Sequence, residues 1–268
     1  MTLLSKKKIL RNVKKANLIN LDRIYIVKKT SSTNDDAKIS LRKDNLKITA
    51  FFAEQQTSGR GRNKRNWISP FGKNIYFSFA WKADLNLNQL DGLSLATAVV
   101  VAKSLQKTIP AKIGIKWPND LMISNKKMGG ILIETKAIDK NTSEIIIGIG
   151  LNVNMSLEEG SAINQQWTSM SNFTDSLLDR NLIAGITLNS ILQLSAEFKE
   201  LGFSFYKKSF QDLHVLNKKR CVVLFPKGEK LYGNVIGVND RGEILITNND
   251  NTLALSHGEV SIKESEIN

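Results

Sequence analysis

Apolar positions along this 268-residue chain recur at helical and at strand spacing, and the alternation between the two lays out its elements. Residues 3–18 set Leu3, Leu4, Ile9, Leu10, Val13 and Leu18 among lysines, which predicts a short amphipathic helix. Residues 22–28 alternate as a strand. Thr30-Ser31-Ser32-Thr33-Asn34-Asp35-Asp36 then offers N-cap hydroxyls and amides, with two acids in the first turn, for a helix through Lys43. Aromatic-rich strands are expected at 48–54 and 74–81, with a long polar, basic loop between them. Asp91 is expected to cap an apolar helix reaching about Gln106. Short strands follow at 113–117, 121–123, 131–134 and 145–150, separated by turn signals such as Pro118-Asn119-Asp120 and Ser124-Asn125-Lys126. Thr187 is expected to cap a second long helix ending near Lys207.

After Lys218-Lys219-Arg220 the pattern shortens. Residues 220–264 give four or five brief strands joined by polar turns, which reads as a small antiparallel barrel. The hairpin-like spacing upstream predicts an α+β fold, with helices packed on an antiparallel or mixed sheet. The organisation is therefore a basic lead-in over 1–21, a main domain over 22–216 and a barrel over 217–268.

Composition narrows the class. Hydrophobic residues make up 41% and charged residues 24%, which excludes a disordered chain. The lone Cys221 excludes an internal disulfide, and with His214 and His257 it leaves too few ligands for structural zinc. The longest uncharged apolar stretch, Gly92 to Ala102, is too short to span a bilayer, and Lys6-Lys7-Lys8 interrupts any signal-peptide core. The chain reads as a soluble protein of a reducing cytoplasm. Its net charge of +13 is local: residues 1–29 carry nine basic side chains against Asp22, and residues 60–73 carry five against none. A nucleic-acid-binding protein is the reading such a charge first invites.

Four segments carry candidate chemistry. Gly59-Arg60-Gly61-Arg62-Asn63-Lys64-Arg65-Asn66-Trp67 interleaves glycines, which admit an anion to the backbone, with forked arginine donors. It is neither a Walker A loop nor a dinucleotide turn. Lys116-Trp117-Pro118-Asn119-Asp120 places a carboxylate and an amide at a strand end. Lys126-Lys127-Met128-Gly129-Gly130 leads a lysine into paired glycines, and Gly148-Ile149-Gly150-Leu151-Asn152 puts glycines on a strand, where backbone or ligand approaches closely. Taken singly, each is equally the mark of an ordinary turn or a solvated loop.

In this order and spacing, together with Ser32-Thr33-Asn34 and Gln56, these segments resemble the biotin protein ligase family from about residue 20 onward, including Gly258-Glu259-Val260-Ser261 in the barrel. The resemblance implies a class II synthetase-like ligase domain followed by an SH3-like barrel. It implies ATP-dependent formation of biotinyl-5′-AMP and transfer of the biotinyl group to a lysine of a biotin carboxyl carrier protein of acetyl-CoA carboxylase. By the match, Ser32, Thr33, Asn34, Gln56, Gly59 and Gly130 belong to the biotin pocket. Arg60, Gly61 and Arg62 hold its carboxylate end, and Lys127 is the first choice for the catalytic charge, with Arg60 and Arg62 beside it. Trp67, Lys116, Asp120, Gly148, Gly150 and Asn152 face ATP, with Asp120 also the candidate magnesium ligand. The Gly59–Trp67 loop is expected to order over the ligand.

The sequence departs from the family pattern in three places. Lys64 stands where the loop usually has its third glycine, and Lys263 where an arginine is common near the end of the barrel. About 21 residues precede the first strand, where many relatives carry a winged helix-turn-helix, so a ligase without operator binding is expected. The resemblance also allows a homodimer through the central sheet. A lipoate or octanoate ligase of related fold shares the adenylate chemistry.

Overall fold

The computed structural model describes residues 2–43, 47–226, 228–248, 251–256 and 260–265. A seven-stranded sheet forms its centre: β1 (Arg23–Val27), β2 (Ile48–Ala53), β3 (Ile75–Ala83), β4 (Ile113–Lys116), β5 (Asp120–Ile123), β6 (Lys126–Ala137) and β7 (Ser143–Leu151). In space the order is β1-β2-β3-β7-β6-β5-β4. The β1–β2 pair is parallel and every other pair antiparallel, the mixed sheet expected from the hairpin spacing.

Period-two alternation gives this sheet two unlike faces. Phe77, Phe79 and Trp81 of β3 and Ile145, Ile147 and Ile149 of β7 enter the main core, which they share with α4 (Leu93–Leu105) and α5 (Arg180–Leu213). Helix α4 is apolar nearly all round and accordingly buried. On the other face a small cluster of Ala37, Leu41, Phe51, Ala80 and Ile146 seats α3 (Thr33–Lys43). Gly130 of β6 and Gly148 and Gly150 of β7 share that second face, and beside α3 it stays open as a cavity.

Several expected boundaries move. The lead-in is two short helices, α1 (Lys6–Leu10) and α2 (Lys15–Leu18), because the chain follows the surface of α5. The Lys14 N–H and the Asn17 amide both bond Asn189 Oδ1, at 2.9 Å each. Leu4, Ile9 and Val13 are buried in the main core while the lysines stay exposed, so the basic charge is the outer face of a docked segment. Asp91 does not open a helix: it ends the 3-10 turn Leu87–Leu90, which Asn86 caps, and Gly92 is the N-cap of α4. Nor does Thr187, which is buried inside α5; Asp179 is the cap, accepting from the Asn181 N–H at 2.9 Å. Helix α5 runs past Lys207 to Leu213 and breaks at Gly202, whose φ of 57° suits glycine. Strand β6 begins at Lys126 instead of Ile131, since Ser124 and Asn125 take the positive φ values of the turn.

The C-terminal unit has strands β8 (Arg220–Leu224), β9 (Lys230–Val238), β10 (Ile244–Asn248), β11 (Asn251–Leu255) and β12 (Ser261–Glu264), in the antiparallel order β11-β10-β9-β8-β12. This matches a small SH3-like barrel. Gly258 and Glu259 of the barrel motif, with His257 before them, lie outside the described residues. The Trp117 indole donates to the Gly242 carbonyl at 3.0 Å, which ties the unit to the end of β4, and the chain leading into it runs along the same edge, where the Val215 N–H bonds the Ile115 carbonyl at 2.9 Å.

Candidate active site

A cavity of about 620 Å³ opens over the α3 face of the sheet. Its floor is made by glycines on adjacent strands, Gly130 opposite Gly150 and Leu132 opposite Gly148. A methyl on Gly150 would sit 2.5 Å from the Trp67 indole, and one on Gly148 would overlap the Asn34 amide. Glycine at these positions lets both side chains lie directly on the backbone of the sheet.

One end of the cavity is polar and mostly uncharged. Gln56 Oε1 accepts from the Thr33 N–H at 2.9 Å and from its hydroxyl at 3.1 Å. Ser78, fully buried on β3, brings its hydroxyl to 2.7 Å from Thr33 Oγ1 and 2.5 Å from Asn34 Oδ1. Asn34 Nδ2 donates to Glu134 at 2.8 Å, and Lys38 meets the other oxygen of that carboxylate at 2.6 Å. Thr33, Asn34 and Gln56 are thus held in fixed orientation, with Ser32 beside them on the wall.

The other end is cationic. Arg60, Arg62, Arg65, Lys116, Lys127 and Lys263 line it, and Asp120 is the one carboxylate on the wall among the described residues. Lys127 Nζ lies 2.7 Å from Asp120 Oδ1 and 5.5 Å from the Trp67 ring centroid. Arg62 Nη1 reaches Asn119 Oδ1 at 3.4 Å. Burial holds the Arg62 guanidinium and the Lys116 ammonium below their ordinary pKa values, with Asp120 opposing the shift in both. Cations outnumbering one carboxylate, with Arg62 and Lys116 partly withdrawn from water, form a site that gains by taking up an anion.

The loop between the two ends closes on itself. Trp67 N–H bonds Gly59 O at 2.9 Å and Gly61 N–H bonds Arg65 O at 2.7 Å. The left-handed conformation inside it falls on Asn63 (φ 53°, ψ 35°), a residue type that tolerates it, so the loop turns without a glycine at position 64. Arg60 points two N–H groups at Asp35 of α3. The Trp67 Nε1 is buried with no hydrogen-bond partner among the described residues.

Of the residues singled out in the sequence, the cavity brings together Ser32, Thr33, Asn34, Gln56, Arg60, Gly61, Arg62, Trp67, Lys116, Asp120, Lys127, Gly130, Gly148 and Gly150. Gly59 and Asn152 stand off the wall. A Cβ at Gly59 would meet Trp67 O at 2.8 Å, so this glycine packs the base of the loop. Asn152 is buried behind β6, donating to Thr168 O at 3.2 Å. Sequence reasoning missed Ser78 and Glu134, though strand alternation puts both on the face of Gly148 and Gly150. It also missed Asn164–Gln166, which lie along Lys127 through the bond from Lys127 N–H to Gln166 O at 3.0 Å. No periodicity marks that segment.

Among the described residues no three His, Cys, Asp or Glu side chains converge on a point. A dedicated divalent-metal cage is not built here. Asp120 alone fits an ion that arrives largely coordinated by phosphate and water.

Comparison with known proteins agrees with this architecture. The model of the biotin/lipoate A/B protein ligase family matches residues 25–152, which hold most of the cavity wall. The bifunctional ligase/repressor BirA of Escherichia coli is 32% identical over 218 residues, covering 81% of this chain and 67% of that protein. The biotin–[acetyl-CoA-carboxylase] ligase of Mycobacterium tuberculosis is 29% identical over 245 residues, 88% of this chain and 87% of the other. Among solved structures, the biotin protein ligase of Aquifex aeolicus in complex with biotin and ATP superposes with a TM-score of 0.74 at 28% identity, covering 91% of this chain and 100% of that one. With its glycine-floored cavity, arginine loop and terminal barrel, this chain belongs to the biotin/lipoate A/B protein ligase family.

Proposed function

We propose that this chain is an ATP-dependent biotin–protein ligase, acting through biotinyl-5′-AMP on a lysine of a biotin carboxyl carrier protein. One observation carries the reading: a single cavity joins a pocket of fixed amides and hydroxyls to a cluster of cations across a glycine floor. A cyclic urea presents donors and acceptors together, which suits Ser32, Thr33, Asn34 and Gln56. A lipoyl dithiolane offers no such groups, and this favours biotin within the family.

The first step brings a carboxylate oxygen onto the α-phosphorus of ATP, with pyrophosphate leaving. Two anions must meet, so the chain's task is to neutralise both in a dry, fixed geometry. Arg60 and Arg62 hold the carboxylate end. Lys127 exchanges Asp120 for the reacting oxygens, carrying the charge to where it develops. Magnesium bound with ATP supplies neutralisation of the phosphates, and Asp120 is the residue that would hold it. In the second step the acceptor amine attacks the acyl carbon and AMP leaves. Between the steps the mixed anhydride needs protection from water, and the loop over the cavity supplies it.

Biotin-dependent exchange of pyrophosphate into ATP tests this reading. Exchange with biotin is expected, and Lys127→Ala should reduce it by roughly 10²–10³-fold. Exchange with lipoate alone would overturn the substrate assignment, and full activity in Lys127→Ala would remove that residue from its role.

A further inference from the structure

The shortest side-chain tie between the Gly59–Trp67 loop and the body of the protein lies outside the cavity. Arg60 lines the wall, yet its guanidinium is gripped by Asp35, Nη1 to Oδ2 at 2.8 Å and Nη2 to Oδ1 at 2.6 Å. Asp35 itself stands off the wall, in the first turn of α3, where its N–H bonds Ser32 O at 3.1 Å. Among the described residues the hydrogen-bond contact of Arg62 is the 3.4 Å one to Asn119. The backbone bonds that close the loop run within residues 59–67. A guanidinium has five donors in one rigid plane. Fixing two of them therefore fixes the direction of the other three.

Asp35 has a second neighbour. Lys38 lies 3.9 Å from it and bonds Glu134, which in turn bonds the Asn34 amide. A row of alternating charges, Arg60, Asp35, Lys38 and Glu134, so links the arginine loop to the uncharged pocket. The sequence accounts for Asp35 as an acid suited to a helix N-terminus. Asp36 serves that purpose equally, and only Asp35 meets the loop arginine.

We propose that Asp35 is a positioning residue: it orients Arg60 from behind so that the remaining guanidinium donors face the ligand carboxylate and, later, the acyl phosphate. The inference rests on the biotin-ligase reading above. It distinguishes the two acids of one helical turn and ties the effect of Asp35 to the anionic end of the ligand.

Equilibrium binding of biotin and of its alcohol analogue, which lacks the carboxylate, tests it on the full chain and its variants. Asp35→Ala should weaken biotin about tenfold, within the range expected for coupled neighbours, and leave the alcohol within about twofold. Asp36→Ala should leave both unchanged. In an Arg60→Ala background, adding Asp35→Ala should cause no further loss, and Asp35→Glu should recover part of the wild-type affinity. Equal losses for biotin and the alcohol, or additive losses in the double variant, would assign Asp35 a merely structural part and overturn the proposal. An Asp35→Ala protein that binds biotin like wild type overturns it alone. Wild type that binds neither ligand overturns the ligase reading, and the proposal with it.

Discussion

Two of the arginine–carboxylate pairs among the described residues sit in opposite surroundings. Arg180 and Glu54 are 3% and 2% exposed and meet at 2.5 Å; Arg60 and Asp35 are each about one-third exposed and meet at 2.6 Å. Around the buried pair the remaining valences are filled. Arg180 donates to Asn74 O at 3.1 Å and to Thr2 O at 3.2 Å, and Glu54 Oε1 accepts from the Leu4 N–H at 2.5 Å. Burial lowers the Arg180 pKa while the Glu54 charge opposes the shift. Such a pair cannot be opened without stranding a charge away from water, so it fastens residues 2–4 to the start of α5. The open pair has water and ligand as alternative partners. It can direct a side chain while contributing little to the fold.

Three measurements test how burial governs these charged groups. Glu54→Ala leaves Arg180 buried and unpaired, and should cost about 3–5 kcal/mol in urea unfolding. A loss below about 1 kcal/mol would mean that burial does not separate the two pairs.

His214 tests the other way of handling a buried ionisable group. Its ring stacks on Phe210 at 5.2 Å, and neither nitrogen has a hydrogen-bond partner among the described residues. Burial, aided by the Lys116 charge, pushes its pKa down from 6.5 to about 4. The folded state therefore binds the proton less readily than the unfolded chain. The stability this represents is complete above about pH 6.5 and is lost as pH falls toward 4. His214→Phe should flatten the decline between pH 7 and pH 4, by on the order of 2 kcal/mol. Parallel pH profiles for wild type and variant would refute this.

The smallest effect belongs to Asp35→Ala, expected to change stability by less than about 1 kcal/mol despite its loss of biotin affinity. The Arg60 hydrogen bond holds the Asp35 carboxyl below its ordinary pKa. The pair's contribution is thus present above the ordinary aspartate range and fades as pH falls through the lowered value. Between pH 5 and 8 the affinity ratio of wild type to variant should stay constant. A stability loss as large as that of Glu54→Ala would erase the distinction between the pairs.

The same division explains what the sequence disclosed. Strand alternation and turn spacing are local signals, and they mark the mixed sheet and the barrel, whereas most of the cavity wall is marked by the ordered motifs that resemble the biotin protein ligase family. Helix starts were less legible: Thr187 is as good a local cap as Asp179, and only the packing of α5 decides between them. The charge pairs were not legible at all. Asp35 reaches a residue 25 positions away and Glu54 one 126 positions away, and both contacts depend on the path of intervening chain. Ser78 and Glu134 fall between these cases, since alternation places them correctly but only the fold shows that they hold Thr33 and Asn34.

The barrel contributes to the cavity as well as to the core. Val260–Lys263 complete a wall begun at Ser32, and Gly242 receives the Trp117 indole at its base. During synthesis, the sheet and helices can assemble while the rest of the polypeptide is still being made. The finished wall cannot exist until Lys263 has cleared the ribosome. A nascent chain thus displays its anion-attracting arginines before the barrel side of the chamber is in place.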